Sequence, residues 1–230
     1  MILISVALAP VIVLLIYVYN RDKYEKEPKR LLTKVFFFGI LSVIPVYFIE
    51  TALTNYWHTK YALPTMQLNT AAYDAFVVAA FTEEFFKILV FFIFIWKNKN
   101  FNEKFDGIVY AVFISMGFAA AENLLYVLGS GFGTGIIRAF TAVPAHAIFA
   151  VTSGYFLAFA KFKPSGKVFY LFLALAVPVL FHGIYDFILL AKNDLLLLIF
   201  IPYVIFILIL ALKGMKKHSN ASIFKPGNKT

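Results

Sequence analysis

Each helix that crosses a bilayer needs about 20 consecutive, mostly apolar residues. This chain supplies such runs seven times, at about 2–19, 31–53, 71–96, 107–128, 136–160, 168–190 and 195–212. No strand-like alternation of apolar and polar residues runs through them. Inside a bilayer every backbone polar group must be satisfied within the protein, which leaves only helices or a closed barrel. The prediction is an all-α polytopic helical bundle of about seven transmembrane helices. Composition excludes the soluble alternative: 62% of residues are hydrophobic and 14% charged, against about 45–50% and about 25% in soluble domains. The first run lacks a basic leader and a small-residue cleavage site, so it is expected to be a retained span. One transmembrane domain is expected over 1–213, followed by a basic, disordered tail over 214–230.

The +9 net charge raises the question of nucleic acid, and the placement of the charges answers it. Arg21, Lys23, Lys26, Lys29, Arg30 and Lys34 follow the first run. Lys97, Lys99 and Lys104 follow the third, Lys161, Lys163 and Lys167 the fifth, and Lys213, Lys216, Lys217, Lys225 and Lys229 the last. The alternate loops hold only Lys60, Arg138 and Lys192. Lys and Arg collect on the cytoplasmic side of membrane proteins, so the amino terminus is expected outside and the carboxyl terminus in the cytoplasm. The charge is topological, and no nucleic-acid partner is expected. The absence of cysteine removes thiol nucleophiles, disulfides and thiolate metal sites. Gly129–Gly135 has no Lys-Ser/Thr after it and reads as a flexible outer turn, not a phosphate loop. Met116–Ala121 is a small-residue face suited to close helix packing.

The informative residues are the polar ones inside the apolar runs: Glu83, Glu84, Lys87, Glu122 and His146, with His182 and Asp186 towards one end of the sixth run. A charged side chain near the centre of a membrane helix costs about 2.5–3.5 kcal/mol, so several together would cost roughly 10 kcal/mol unless paired, protonated or hydrated. Lys87 lies four residues after Glu83 and three after Glu84, so either can pair with it. The two carboxylates point about 100° apart, which lets one pair while the other faces a cavity as a general base. His182 and Asp186 share a helix face, and the carboxylate can fix the tautomer of the imidazole. Glu122 with Asn123 also suits a polar contact between helices. Counted from the outer ends of their spans, Glu122, His182, His146 and Glu83 lie at similar depths, roughly 9–18 Å down at 1.5 Å per residue. They are expected to form one site in the outer half of the bilayer.

These motifs resemble the PrsW family of intramembrane proteases, which is related to the type II CAAX prenyl proteases. The resemblance runs over nearly the whole chain. It covers Asp22-Lys-Tyr-Glu-Lys-Glu-Pro28, Glu83-Glu84 with Lys87, Phe105-Asp106-Gly107 through Tyr110, and Glu122-Asn123 with Tyr126. It continues through Arg138-Ala139 with His146, and His182-Gly183 with Tyr185-Asp186. Ala111 and Ala121 depart mildly from the expected pattern. The resemblance implies a multi-pass plasma-membrane peptidase with Glu83, Glu84, His146 and His182 as catalytic residues. Lys87, Glu122, Asn123 and Asp186 would support them. It further implies a single-span membrane protein as substrate, namely an anti-sigma factor whose first, outer-side cut starts an envelope-stress response.

Two mechanisms stay open under that resemblance. In one, Glu83 or Glu84 activates water, His146 helps to hold it, and His182 with Asp186 stabilises the oxyanion. In the other, a divalent metal such as zinc rests on ligands drawn from His146, His182, Glu83 and Glu84, with the remaining Glu as base. No His-Glu-x-x-His helix motif favours zinc. The rival functions are a proton- or ion-coupled transporter using the same Glu and His, and a non-catalytic scaffold. The missing inverted repeat weighs against the transporter, and two interior His beside a Glu pair weigh against the scaffold.

Overall fold

The computed structural model of the chain describes residues 2–61, 67–163 and 165–227. Nine α-helices and one π-helical segment account for most of them, and no strand occurs among the described residues. They are α1 (Ile2–Arg21), α2 (Lys29–Lys60), α3 (Gln67–Tyr73), the π segment (Asp74–Phe81), α4 (Thr82–Phe94), α5 (Lys104–Ser130), α6 (Phe132–Phe140), α7 (Ala142–Phe162), α8 (Lys167–Leu190) and α9 (Asp194–Asn220). Counting α6 and α7 as one stretch, six of these are long and apolar enough to cross a membrane.

The run expected at 71–96 takes a different form from the other six. It is divided between α3, the π segment and α4, none of which spans a bilayer alone. The backbone nevertheless stays in the right-handed helical region at Tyr73, Phe81 and Thr82. The three pieces thus form one continuous rod over 67–94, roughly 40 Å at 1.5 Å per residue.

Helices α5 and α7 form the buried centre, with α1, α2, α4, α8 and α9 packed around them. Small residues set the spacing. A Cβ added to Gly117 would strike the Phe36 carbonyl oxygen, and one on Gly39 would strike that of Ile114, so α2 and α5 cross with backbones nearly touching. Gly107 and Gly154 allow the same approach between α5 and α7. This is the small-residue packing expected of membrane helices, where close contact replaces the hydrophobic drive. The outer faces carry exposed Leu, Ile, Val and Phe, as on Leu195, Leu198, Val168 and Phe169, the surface that lipid covers.

Two local expectations change. The Gly-rich stretch 129–135 is not a flexible turn: the chain breaks only at Gly131, with φ 86°, and α6 starts at Phe132. The basic tail begins as helix, because α9 continues to Asn220. His218 is buried there against the Tyr155 carbonyl at 3.1 Å.

Candidate active site

The rod that carries the paired glutamates changes helical type just before them. Over Asp74–Phe81 the rod is π-helical, a rare geometry that recurs at functional sites. The α-helix resumes at Thr82, so Glu83 and Glu84 stand in the first turn of α4. Both are buried, as is Lys87. The Lys87 ammonium donates to Glu83 Oε2 at 2.9 Å and to Glu84 Oε1 at 2.8 Å. Both carboxylates therefore pair with it, and the division of one paired and one free carboxylate that the spacing allows is not taken up. Its third proton faces His146 Nδ1 at 3.2 Å, so all three donors of the ammonium are engaged.

His182, on α8, meets this pair from the side. Its Nδ1 lies 3.2 Å from Glu84 Oε1, and its Nε2 lies 3.1 Å from Asp186 Oδ2. The predicted i,i+4 contact of His182 with Asp186 is present. Phe149 of α7 stacks on the imidazole with ring centres 4.7 Å apart. Gly183 lets α8 lie against the π segment, since a Cβ there would enter the Phe76 ring.

His146, on α7, bridges α4 and α5. With Nδ1 accepting from Lys87, its proton sits on Nε2, which donates to Glu122 Oε2 at 2.8 Å. Arg138 of α6 pairs with the same carboxylate at 2.9 Å and donates through Nε to Asn123 Oδ1, also at 2.9 Å. Asn123 in turn donates to the Ala7 carbonyl of α1 at 2.8 Å. Asn123 is the helix-to-helix contact that the sequence suggested for the Glu122–Asn123 pair. Glu122 instead turns towards His146.

A cavity of about 630 Å³ opens beside these groups. Glu83, Glu122, His146, His182 and Asp186 line it, whereas Glu84 lies behind it. Thr54, Asn55, Asp74, Thr141 and Leu190 also line it, which places its mouth at the lysine-poor end of the bundle. All the expected site residues thus fall in or directly around one place. Two acids missing from that expectation, Glu50 and Asp74, line it as well. Glu50 stands near the end of the apolar run over 31–53, and α2 continues past it to Lys60. The signal that would have exposed it is the polar row Tyr47, Thr51, Thr54 and Asn55, which shares its helix face.

The model of the PrsW family of intramembrane metalloproteases matches residues 27–212. The chain belongs to the PrsW family. Protease PrsW of Geobacillus kaustophilus (strain HTA426) is 40% identical over 191 residues, covering 83% of this chain and 81% of that protein. Protease PrsW of Oceanobacillus iheyensis (strain DSM 14371) is 36% identical over 96% of this chain and 98% of its own. The Protease PrsW of Bacillus subtilis (strain 168) is 33% identical over 97% and 98%. No solved structure matches. Like its PrsW relatives, the chain is an intramembrane peptidase of the cell membrane that acts on membrane substrates.

The PrsW family description implies a metal. Glu83, Glu84 and His182 offer ligand atoms that all lie within 4.8 Å of one another, and no other such group occurs among the described residues. Two carboxylates and one imidazole suit zinc and related divalent metals. Asp186 on the far nitrogen of His182 is the outer partner that orients a metal-binding histidine. The residues present fit a metal. His146 stands outside the group, its two nitrogens occupied by Lys87 and Glu122, so the set holds one histidine rather than two.

Proposed function

We propose that this peptidase makes the first, outer-side cut in a single-span, anti-sigma-factor-like membrane protein, as a single protease domain over 1–213. In this reading the amino terminus is outside and the carboxyl terminus cytoplasmic. One observation carries it: the cavity that reaches Glu83 opens at the lysine-poor end of the bundle. By the charge bias of membrane proteins, that end faces outwards.

Glu83 is the member of the glutamate pair that water can reach. Its carboxylate accepts the proton of the attacking water as the oxygen adds to the scissile carbonyl carbon. It returns that proton to the amine as the C–N bond breaks. Glu84 and His182 would hold a divalent metal beside Glu83, which would supply Lewis-acid activation of water and of the peptide carbonyl and leave Glu83 as the base. Asp186 fixes the imidazole of His182, and Lys87 bridges the two carboxylates and holds them in place. Glu122 holds the proton of His146 on Nε2. Arg138, which lines the cavity, faces the negative charge that develops on the carbonyl oxygen.

The test is co-expression of Glu83→Ala, Glu84→Ala and His182→Ala with a tagged single-span reporter. Loss of clipping in each, at normal membrane levels, is expected; unchanged clipping in all three would overturn the assignment. Orientation is tested separately. The chain has no cysteine, so Gly133→Cys and Lys99→Cys can each be labelled with a membrane-impermeant maleimide on intact cells. Labelling at position 133 alone is expected, and labelling at 99 alone would reverse the topology.

A further inference from the structure

Four carboxylates are buried at the other end of the bundle. Asp22 and Glu27 lie on the connection between α1 and α2, and Glu103 and Asp106 lie at the start of α5. Their exposures are 0%, 3%, 3% and 0%, and the carboxyls of Glu27 and Asp106 are within hydrogen-bonding reach of each other. Asp106 lies sixteen residues before Glu122 on α5, so the cluster is roughly 24 Å from the active site.

Each of the four is half satisfied. Asp106 Oδ2 accepts from the Asn102 and Glu103 amides at 2.8 and 2.7 Å, and Glu27 Oε2 accepts from the Tyr110 hydroxyl. Asp22 Oδ2 accepts from the Glu27 amide at 3.3 Å, and the Glu103 carboxylate accepts from the Asp106 amide, the Ser222 hydroxyl and the Ile223 amide. The other oxygens, Asp22 Oδ1, Glu27 Oε1, Glu103 Oε2 and Asp106 Oδ1, are buried and meet no donor among the described residues; the same is true of Asn102 Oδ1. Nor does any described ion pair reach the four acids. The lysines nearest in charge, Lys26 and Lys161, donate to the main-chain carbonyls of Tyr19 and Trp96 instead.

Burying unpaired carboxylates is strongly unfavourable, so positive charge must come from elsewhere. A proton shared between Glu27 and Asp106 would serve two of the orphaned oxygens and leave the rest. An oxygen-seeking cation with six or more ligands can serve them all, directly or through bound water. The donor set is all oxygen, with no nitrogen or sulfur, which selects hard cations over zinc. We propose that this cluster binds a divalent hard cation, Mg²⁺ or Ca²⁺, directly through Glu27 and Asp106, with Asp22 and Glu103 completing the shell through water. The ion clamps the α1–α2 connection onto the start of α5.

The test uses the full chain in detergent, in the Glu84→Gln background so that the catalytic group contributes no second site. Mg²⁺ or Ca²⁺, added at constant ionic strength after chelation, is expected to raise the thermal midpoint by several degrees. Tb³⁺ is expected to give Tyr110-sensitised emission that Ca²⁺ competes away. The pair Glu27→Gln and Asp106→Asn should weaken Tb³⁺ binding at least tenfold and abolish the thermal shift. Where that pair fails to fold, Tyr110→Phe serves, keeping the acids but losing most of the emission. A midpoint that ignores both cations and rises only as pH falls would overturn the proposal in favour of bound protons. Tb³⁺ emission equal in the parent and in Tyr110→Phe would overturn it too.

Discussion

Glu84 Oε1 lies 3.2 Å from His182 Nδ1, although 98 residues separate them in the chain. The contact exists because α8 rests directly on the π segment, and the other nitrogen of His182 is held by Asp186 at 3.1 Å. A group that orients a metal-binding or catalytic histidine is worth about 10–100-fold in affinity or activity. Asp186→Asn is therefore expected to lower clipping of a membrane reporter by that factor at unchanged membrane levels. Full activity in the variant would show that His182 needs no orienting partner.

Lys87 neutralises two buried carboxylates at once. Removing one partner of a buried charge pair costs about 3–5 kcal/mol, because the remaining charge is stranded. Lys87→Met is expected to lower the thermal midpoint in detergent sharply and to reduce the amount in the membrane. The triple change with Glu83→Gln and Glu84→Gln should restore much of the stability but no activity. A stable Lys87→Met protein would mean that the glutamates are held by something other than this ammonium.

Two glycines separate packing from catalysis. A side chain at Gly154 would strike the backbone of Gly107 and Ile108 on α5, which cannot yield without moving a central helix. At Gly183 the obstacle is the Phe76 ring, which can rotate away. Gly154→Val is expected to prevent stable folding, seen as loss of the monodisperse peak in detergent. Gly183→Ala should fold but cut activity, because it pushes His182 away from Glu84. Equal melting and equal activity for the two variants would contradict this packing.

Much of the site was legible in the sequence wherever its contacts lie within one helix. Lys87 stands a helical turn from both glutamates, as Asp186 does from His182, and apolar surroundings make such residues conspicuous. Helical periodicity carries no lateral information, however. It could not say that His146 turns its two nitrogens to Lys87 and Glu122, leaving His182 to meet Glu84. The π segment was hidden because an assumed α-helix has 3.6 residues per turn throughout. Glu50 was hidden because hydropathy falls before α2 ends.

The carboxylates outside the spans predict a pH dependence. Burial raises the Asp22 carboxyl from 3.8 to about 6. Burial, with the Asp106 carboxylate beside it, raises that of Glu27 from 4.5 to about 9. The folded state then binds these protons more tightly than the unfolded chain, so stability falls as pH rises. In chelator, the thermal midpoint should decline between about pH 4 and 6 through Asp22 and continue downward to about pH 9 through Glu27. Glu27→Gln should flatten the upper part of that slope. A midpoint that instead rises across the neutral range would mean the acids are charged and paired in the folded protein.

Glu50 offers the sharpest separation of stability from function. It lines the cavity beside Glu83 and Glu122, and its Oε1 meets no hydrogen-bond partner among the described residues. Groups kept in an unfavourable state at a working site commonly cost stability, and relieving them commonly costs activity. Tyr47, Thr51, Thr54 and Asn55 line the same cavity from the same helix, so Glu50 sits in a polar row along which an unwound substrate backbone can find partners. Glu50→Gln is expected to raise the thermal midpoint while lowering kcat/KM about tenfold, the size of one lost hydrogen bond of ~1.4 kcal/mol to substrate. The loss should appear mainly in KM, as expected of a cavity group that contacts substrate and takes no proton from the attacking water. A variant that loses both stability and kcat would place Glu50 among the structural acids instead.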